Sequence, residues 1–103
     1  MALISGGGKK GLETQTTYLQ AQGSGEINSV YVIRTGLPKK MVLTSIDSGC
    51  NIKYETSSTG SGYISMSVNT EYTIADGDTD LVLLLTKTTS DFAQKKAYIT
   101  FTY

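Results

Sequence analysis

The sequence of 103 residues lacks histidine and tryptophan and contains a single cysteine and a single proline. Without histidine, the chain lacks the side chain that most often carries proton transfer near neutral pH and that most often binds transition metals. One cysteine cannot form a disulfide within the chain. We therefore predict no catalytic residue, no metal site and no bound cofactor, and we expect that the protein is not an enzyme.

An excess of either charge is also absent, because nine basic residues balance nine acidic residues and the pI is about 6.1. Proteins that bind nucleic acid usually carry a basic excess, so we expect no nucleic-acid partner. Basic residues predominate over residues 1–40 and acidic residues over 41–94. This distribution of charge would let copies attract one another head to tail, but an ordinary mixed surface is the favoured explanation.

Long apolar runs are missing as well. No stretch approaches the roughly 20 apolar residues that cross a bilayer as a helix, so we expect no membrane partner. The first residues have neither a leading positive charge nor an apolar run of signal-peptide length, and we expect no Sec-type export signal. Together with the single cysteine, this favours synthesis in a reducing cytoplasm.

The residues that are abundant favour β-structure. Threonine is the most frequent residue and seven residues are tyrosine, and both types fit a pleated, half-buried surface. Apolar and polar residues alternate in short stretches between turn residues, as in half-buried strands. The predicted strands are residues 13–21, 29–35, 41–47, 51–56, 63–69, 72–75, 81–85 and 96–103. The first stretch also fits a short helix with Leu12, Thr16 and Leu19 on one face, but a strand at a sheet edge is favoured.

Three patterns predict where strands lie in the sheets. Residues 29–35 are apolar on both faces, which indicates a central strand, and residues 81–85 form an uninterrupted apolar run, which indicates a fully buried strand. Residues 51–56 and 63–69 alternate cleanly and predict a hairpin with one solvated face. Its apolar positions are Ile52, Tyr54, Ile64, Met66 and Val68.

Short strands at a spacing of roughly 8–12 residues are typical of all-β folds. We predict an antiparallel β-sandwich of immunoglobulin-like shape, or a small barrel. Residues 1–11 contain four glycines and no periodicity, so we predict a flexible, glycine-rich N-terminal arm. Residues 12–103 are then a single β-sandwich domain.

Three short motifs suggest chemistry, and each has a simpler explanation. Gly6, Gly8 and Gly11 match the spacing of a dinucleotide-binding loop, but no strand precedes them, and a flexible arm explains them better. The alternating acids around Gly77 resemble a cation-binding turn, yet the spacing is not that of a calcium loop, and an acidic hairpin tip is favoured. These acids are Asp76, Asp78 and Asp80. Cys50 has no histidine to activate it, and we expect a small structural residue.

Aromatic and basic residues offer a further possible site. Tyr31, Tyr63 and Tyr98 lie on the less apolar side of their predicted strands or at strand starts, where exposed rings would stack on sugars or bases. Tyrosines of the core and of interfaces are the more common explanation. The basic pairs Lys9–Lys10, Lys39–Lys40 and Lys95–Lys96 are expected to be exposed solubilising residues.

Residues 1–20, beginning Met1-Ala2-Leu3-Ile4-Ser5-Gly6-Gly7-Gly8-Lys9-Lys10-Gly11, precede a body rich in threonine, serine and glycine. In this arrangement the chain resembles small bacteriophage virion proteins of the head-decoration or cement type. The resemblance implies a structural protein of the virus particle that stabilises the capsid through subunit contacts. It also implies a homo-oligomer whose partners are other virion subunits, either the major capsid protein or copies of itself. Tail, baseplate and fibre proteins fit the same pattern.

The resemblance implies that the arm reaches neighbouring subunits. Ordering a residue costs about 1–2 kcal/mol, so an arm of this length needs substantial contacts to offset its ordering. Leu3 and Ile4 are its sizeable apolar residues, and with Lys9 and Lys10 they are the predicted partner-binding residues. The alternative function is a carbohydrate- or cell-surface-binding sandwich module of the tail, fibre or adhesin type.

Overall fold

The fold is known from a computed structural model that describes residues 13–60 and 62–103. These residues contain eight strands and no helix. The predicted arm, and with it Leu3, Ile4, Lys9, Lys10 and the Gly6–Gly11 motif, lies outside the described residues. The strands are β1 Thr14–Ala21, β2 Ile27–Ile33, β3 Lys40–Ile46, β4 Cys50–Thr56, β5 Ile64–Ser65, β6 Glu71–Thr73, β7 Leu81–Lys87 and β8 Lys95–Thr102.

Two four-stranded antiparallel sheets pack face to face. The first sheet, sheet A, has the order β1-β8-β3-β6, and the second, sheet B, has the order β2-β7-β4-β5. Every strand pair is antiparallel, and β3 shifts register against β8 at Thr44 through a bulge. The predicted all-β fold is confirmed, and of its two forms the chain adopts the sandwich.

The core follows from alternation on the interior strands, of which β7 and β8 are the clearest examples. On β7 the buried residues are Leu81, Leu83 and Leu85, and on β8 they are Ala97, Ile99 and Phe101. Side chains of a strand point alternately to its two faces, so every second residue of each strand enters the space between the sheets. Aromatic contacts join the two layers: the rings of Tyr31 and Phe101 are 6.4 Å apart, and those of Tyr54 and Tyr72 are 5.4 Å apart.

Two positional predictions are wrong or only partly right. The strand predicted as central at residues 29–35 is β2, which lies at the edge of sheet B, and its outward residues Val30 and Val32 are 59% and 43% exposed. Apolar residues on both faces indicated burial, but the outer face of this sheet is uncovered in the described chain. The strand at residues 81–85, predicted to be fully buried, is β7 in the interior of sheet B, but its outward residues Val82 and Leu84 are only half-buried.

The predicted hairpin is present but shorter. β5 contains only Ile64 and Ser65, after which the chain leaves sheet B. The backbone N–H of Met66 still donates to Ile52 O of sheet B (3.0 Å), whereas that of Asn69 donates to Leu43 O of sheet A (2.8 Å). Residues 66–70 therefore form a crossover between the sheets. Of the three apolar residues predicted on this strand, Met66 is buried and the other two are exposed.

Candidate assembly surface

The two lateral sides of the sandwich end in different strands. On one side lie β1 and β2, of eight and seven residues, and among the described residues each pairs with a strand along one edge only. We call this the open side. On the other side lie β5 and β6, of two and three residues, together with the crossover at residues 66–70. We call this the closed side, because the crossover bonds to both sheets there.

The strands of the open side have none of the usual protection against pairing with other chains. Neither β1 (TQTTYLQA) nor β2 (INSVYVI) contains a charged residue or a proline. Natural proteins commonly shield edge strands with lysine, proline, bulges or very short strands. The open side therefore presents two rows of backbone donors and acceptors to any extended segment that approaches.

An apolar patch adjoins the free edge of β2. In the register of sheet B, Val30 pairs with Leu84 and Val32 with Val82, and all four side chains point away from the core. We call these four residues the outer patch. Directly opposite residues in a sheet are about 5 Å apart, so the four form one contiguous surface. Exposed apolar clusters of this kind are typical of interaction surfaces.

The outer face of sheet A is chemically different. The rings of Tyr18 and Tyr98 pack against each other at a tilt of 43° with their centres 5.5 Å apart, and Lys96 Nζ lies 4.8 Å from the centre of the Tyr18 ring. Thr16 and Thr100 share a hydroxyl–hydroxyl hydrogen bond of 2.8 Å on the same face. The face is thus a hydrogen-bonding surface with one aromatic pair.

Of the three tyrosines predicted as candidates for stacking on ligands, the structure leaves two at the surface. Tyr98 is half-buried against Tyr18, and Tyr63 is exposed with Lys53 Nζ 5.0 Å from the centre of its ring. Tyr31 points inward against Phe101 instead. Tyr63 and Tyr98 belong to different sheets, so the three do not form one platform. Tyr18, which sequence reasoning passed over, is the more exposed member of the pair on sheet A.

A buried lysine joins two loops at one end of the open side. The Lys87 side chain is 0% exposed, and its ammonium group donates to the carbonyl oxygens of Thr89 (2.6 Å), Gly25 (3.4 Å) and Asp91. The Asp91 carboxylate lies 3.4 Å from the same nitrogen. Since Gly25 belongs to the loop that joins β1 to β2, this lysine ties that loop to residues 88–94. Phe92, in the latter loop, is 72% exposed.

The predicted acidic turn is used internally. Asp78 Oδ1 accepts hydrogen bonds from the Ser57 hydroxyl and the Ser58 N–H, and Oδ2 accepts them from the Ser58 hydroxyl and the Ala75 N–H. Burial acts to raise the pKa of Asp78, but the hydrogen bonds from Ser58 and Ser57 outweigh it and lower the pKa. Within the described residues, no three acidic or cysteine side chains are grouped to hold a metal ion.

Cys50 has the environment of a structural thiol. Its Sγ donates to Asp47 O at 3.1 Å. Burial, and then the Asp47 carboxylate, raise the pKa of the thiol above its ordinary value, against the opposing effect of Lys95. Because the thiolate is the nucleophilic form, these surroundings reduce its reactivity at neutral pH.

The loops at the far end of the sandwich from Lys87 enclose an open cleft of about 360 Å³. Its lining mixes charges of both signs with apolar side chains, among them Arg34, Leu37, Lys39, Ile74 and Asp76. The described part of the chain has no helix that could cross a membrane. Comparison of the chain with protein-family models, curated proteins and solved structures finds no match.

Proposed function

We propose that the chain is a non-enzymatic structural protein of a virus particle, made in the host cytoplasm, that decorates or stabilises the capsid through subunit contacts. The observation that carries the proposal is the open side, where two uncharged strands with free edges adjoin the apolar outer patch. An unpaired strand edge binds another extended segment through main-chain hydrogen bonds, which is a common mode of protein assembly. The major capsid protein and further copies of the chain are the proposed partners.

The residues before β1 have a defined place in this proposal. The Tyr103 N–H donates to Glu13 O at 2.8 Å, so the described chain begins beside its C-terminus, at the end of the sandwich that carries the cleft. A preceding arm reaches a neighbouring subunit from this end. Leu3 and Ile4 supply apolar contacts with that neighbour, and Lys9 and Lys10 supply charge.

The presence of the chain in particles tests the proposal. Virus particles purified from cells that carry the encoding genome are analysed by mass spectrometry and by labelling with an antibody against the chain. We expect the chain in intact particles at a copy number comparable with that of the major capsid protein. Its restriction to the cell lysate, or turnover of a substrate by the purified chain, would overturn the proposal.

The contribution of the arm is tested by deletion of residues 2–11. We expect the truncated chain to lose incorporation into particles while its melting temperature is nearly unchanged, because the described core lies entirely outside these residues. Normal incorporation of the truncated chain would remove the arm from the proposal and leave the open side as the binding surface.

A carbohydrate-binding module is the second candidate, and the tilted Tyr18–Tyr98 pair favours it, since aromatic faces beside hydroxyl groups suit sugar rings. On this alternative the monomer binds a glycan on an array, and the Tyr18→Ala substitution abolishes that binding. The Tyr63→Ala substitution on sheet B is the matched control and leaves it intact.

A further inference from the structure

The free edge of β2 has the properties of a strand that pairs with itself. β2 bonds to β7 along one edge, and no described strand pairs with its other edge. We infer that this edge takes the β2 strand of a second copy of the chain, antiparallel and across a two-fold axis at Val30. The inference rests on the proposed assembly function and specifies one contact through which two copies of the chain associate.

The register follows from the alternation of β2. Ile27, Tyr31 and Ile33 point toward the core, whereas Val30 and Val32 point outward. A shift of register by one residue would turn the core-facing residues of one strand to the outer face. Only every second register therefore keeps the core-facing residues of both copies on the same face. An axis at Val30 places Ile27 of one copy against Ile33 of the other and Val30 against its own counterpart. Sheet B would then continue across the dimer as eight strands, with both outer patches on one face.

The charge pattern of β2 permits this contact. In a two-fold contact each patch meets its own copy, so a charged residue near the axis meets a like charge. β2 has no charged residue at any of its seven positions. Among the other long strands, β4 carries Lys53 and Glu55, and β8 begins with Lys95 and Lys96.

β2 suits self-pairing better than β1 does. Three of its four core-facing residues are apolar, so pairing would extend the apolar layer between the sheets. On β1 the corresponding positions begin with Gln15 and Thr17, and only Leu19 and Ala21 are buried. Residues 1–12 are a poor second strand for this edge, because Leu3 and Ile4 are adjacent and no alternation surrounds them.

A charge at the axis tests the inference. The full chain and its Val30→Lys variant are compared by sedimentation velocity over a range of concentrations. We expect the unaltered chain to dimerise and the variant to show a dissociation constant at least tenfold higher, because two lysines would face each other about 5 Å apart. The variant should keep its melting temperature, since Val30 is exposed. Val68→Lys, at an exposed valine of the closed side, is the control and should dimerise normally.

A disulfide cross-link tests the register. In a Cys50→Ser background, the Val30→Cys chain should form a covalent dimer on mild oxidation, because directly opposite Cα atoms in an antiparallel pair lie within disulfide range. The matched Val32→Cys chain should not, since its cysteines would be offset by four residues along the strands, or roughly 13 Å. Equal cross-linking of both variants, or of Val32→Cys alone, would overturn the register.

The remaining outcomes separate this inference from the proposed function. A chain that stays monomeric at every concentration, or a Val30→Lys variant that dimerises as well as the unaltered chain, overturns β2 pairing. Neither result removes the chain from particles, which the mass-spectrometric test decides independently. Dimerisation that is lost on deletion of residues 2–11 but kept in Val30→Lys overturns β2 pairing and assigns the contact to the arm.

Discussion

The open and closed sides of the sandwich differ in whether their edge strands are shielded from pairing with other chains. On the closed side, β5 and β6 are very short, the crossover at residues 66–70 bonds to both sheets, and Lys40 pairs with Glu71 of β6 at 3.2 Å. On the open side, β1 and β2 are long and uncharged, and no described strand pairs with their free edges. The described chain thus shields one side against association and leaves the strand edges of the other unpaired, as the proposed assembly contact requires.

The two ends of the sandwich also differ in how their loops are held. At one end, the buried Lys87 joins the β1–β2 loop to residues 88–94. At the other end, which carries the cleft, Asp78 joins residues 57–58 to the turn between β6 and β7 from a half-buried position. A buried charge with several acceptors is costly to remove, whereas a carboxylate near water is partly replaced by solvent. Substitutions at these two positions should therefore have unequal effects on stability.

The largest expected effect is that of Lys87→Met. The substitution keeps a similar linear side chain but removes the donor for three carbonyl groups, so the free energy of unfolding should fall by about 2–4 kcal/mol. Urea denaturation measures this change. Lys53→Met, on the outer face of sheet B, is the matched control and should cost less than about 1 kcal/mol. Equal losses of unfolding free energy for the two variants would contradict the conclusion that the buried Lys87 ammonium group holds the two loops together.

Gly49→Ala should have the next largest effect. Gly49 has φ of 84°, and a Cβ at this position would lie 2.5 Å from Thr89 Cγ2, in the loop that Lys87 holds. Backbone strain together with displacement of the Thr89 side chain should cost about 1–3 kcal/mol, measured by thermal unfolding. Gly36→Ala is the control: its φ is 64° and nothing lies near the added Cβ, so it should cost only about 1 kcal/mol.

Asp78→Asn tests the contact at the cleft end of the sandwich and should cost about 1–2 kcal/mol, because the amide accepts fewer of the four hydrogen bonds. The loss should depend on pH. The folded pKa of Asp78 lies below its ordinary value of 3.8, so the carboxylate stabilises the fold above that pH. This contribution disappears as the pH falls through the folded pKa. Unfolding curves of the two chains should differ at pH 7 and converge in strong acid; a constant difference would contradict the assignment.

The smallest expected effect on stability concerns exposed apolar residues. Phe92→Ser should change the free energy of unfolding by less than about 0.5 kcal/mol, because the side chain is almost fully exposed. Ile64→Lys, on the closed side, should leave both stability and self-association close to those of the unaltered chain. A loss of association in Ile64→Lys, measured by light scattering, would mean that the closed side also binds partners.

Much of the fold was predictable from the sequence because alternation determines which side chains enter the core. The strands at β3, β4, β7 and β8 agree with prediction to within a few residues, and Ile52 and Tyr54 are buried as expected. Which strands lie next to one another in a sheet was not predictable in the same way. The apolar pattern of β2 is compatible with a central strand, and its edge position depends on which distant strand pairs with it.

The hydrogen bonds that hold the loops were harder to predict. Lys87 lies two residues after Leu85, so a strand continued to Lys87 would have placed its side chain on the core face with Leu81, Leu83 and Leu85. The predicted strand, however, ended at Leu85. The acidic turn was predicted to be a hairpin tip, but β6 and β7 belong to different sheets, so the turn joins the two sheets instead. The serines that donate to Asp78 lie about twenty residues away. Such long-range hydrogen bonds leave no local pattern in the sequence.

Amide hydrogen exchange of the full chain, followed by mass spectrometry in dilute and in concentrated solution, tests the central claim most directly. If the chain works by assembly through its open side, amides of β2 should exchange more slowly in the concentrated sample, while those of β5 and β6 should exchange at the same rate in both. Slower exchange confined to β5 and β6, with β2 unchanged, would contradict the account.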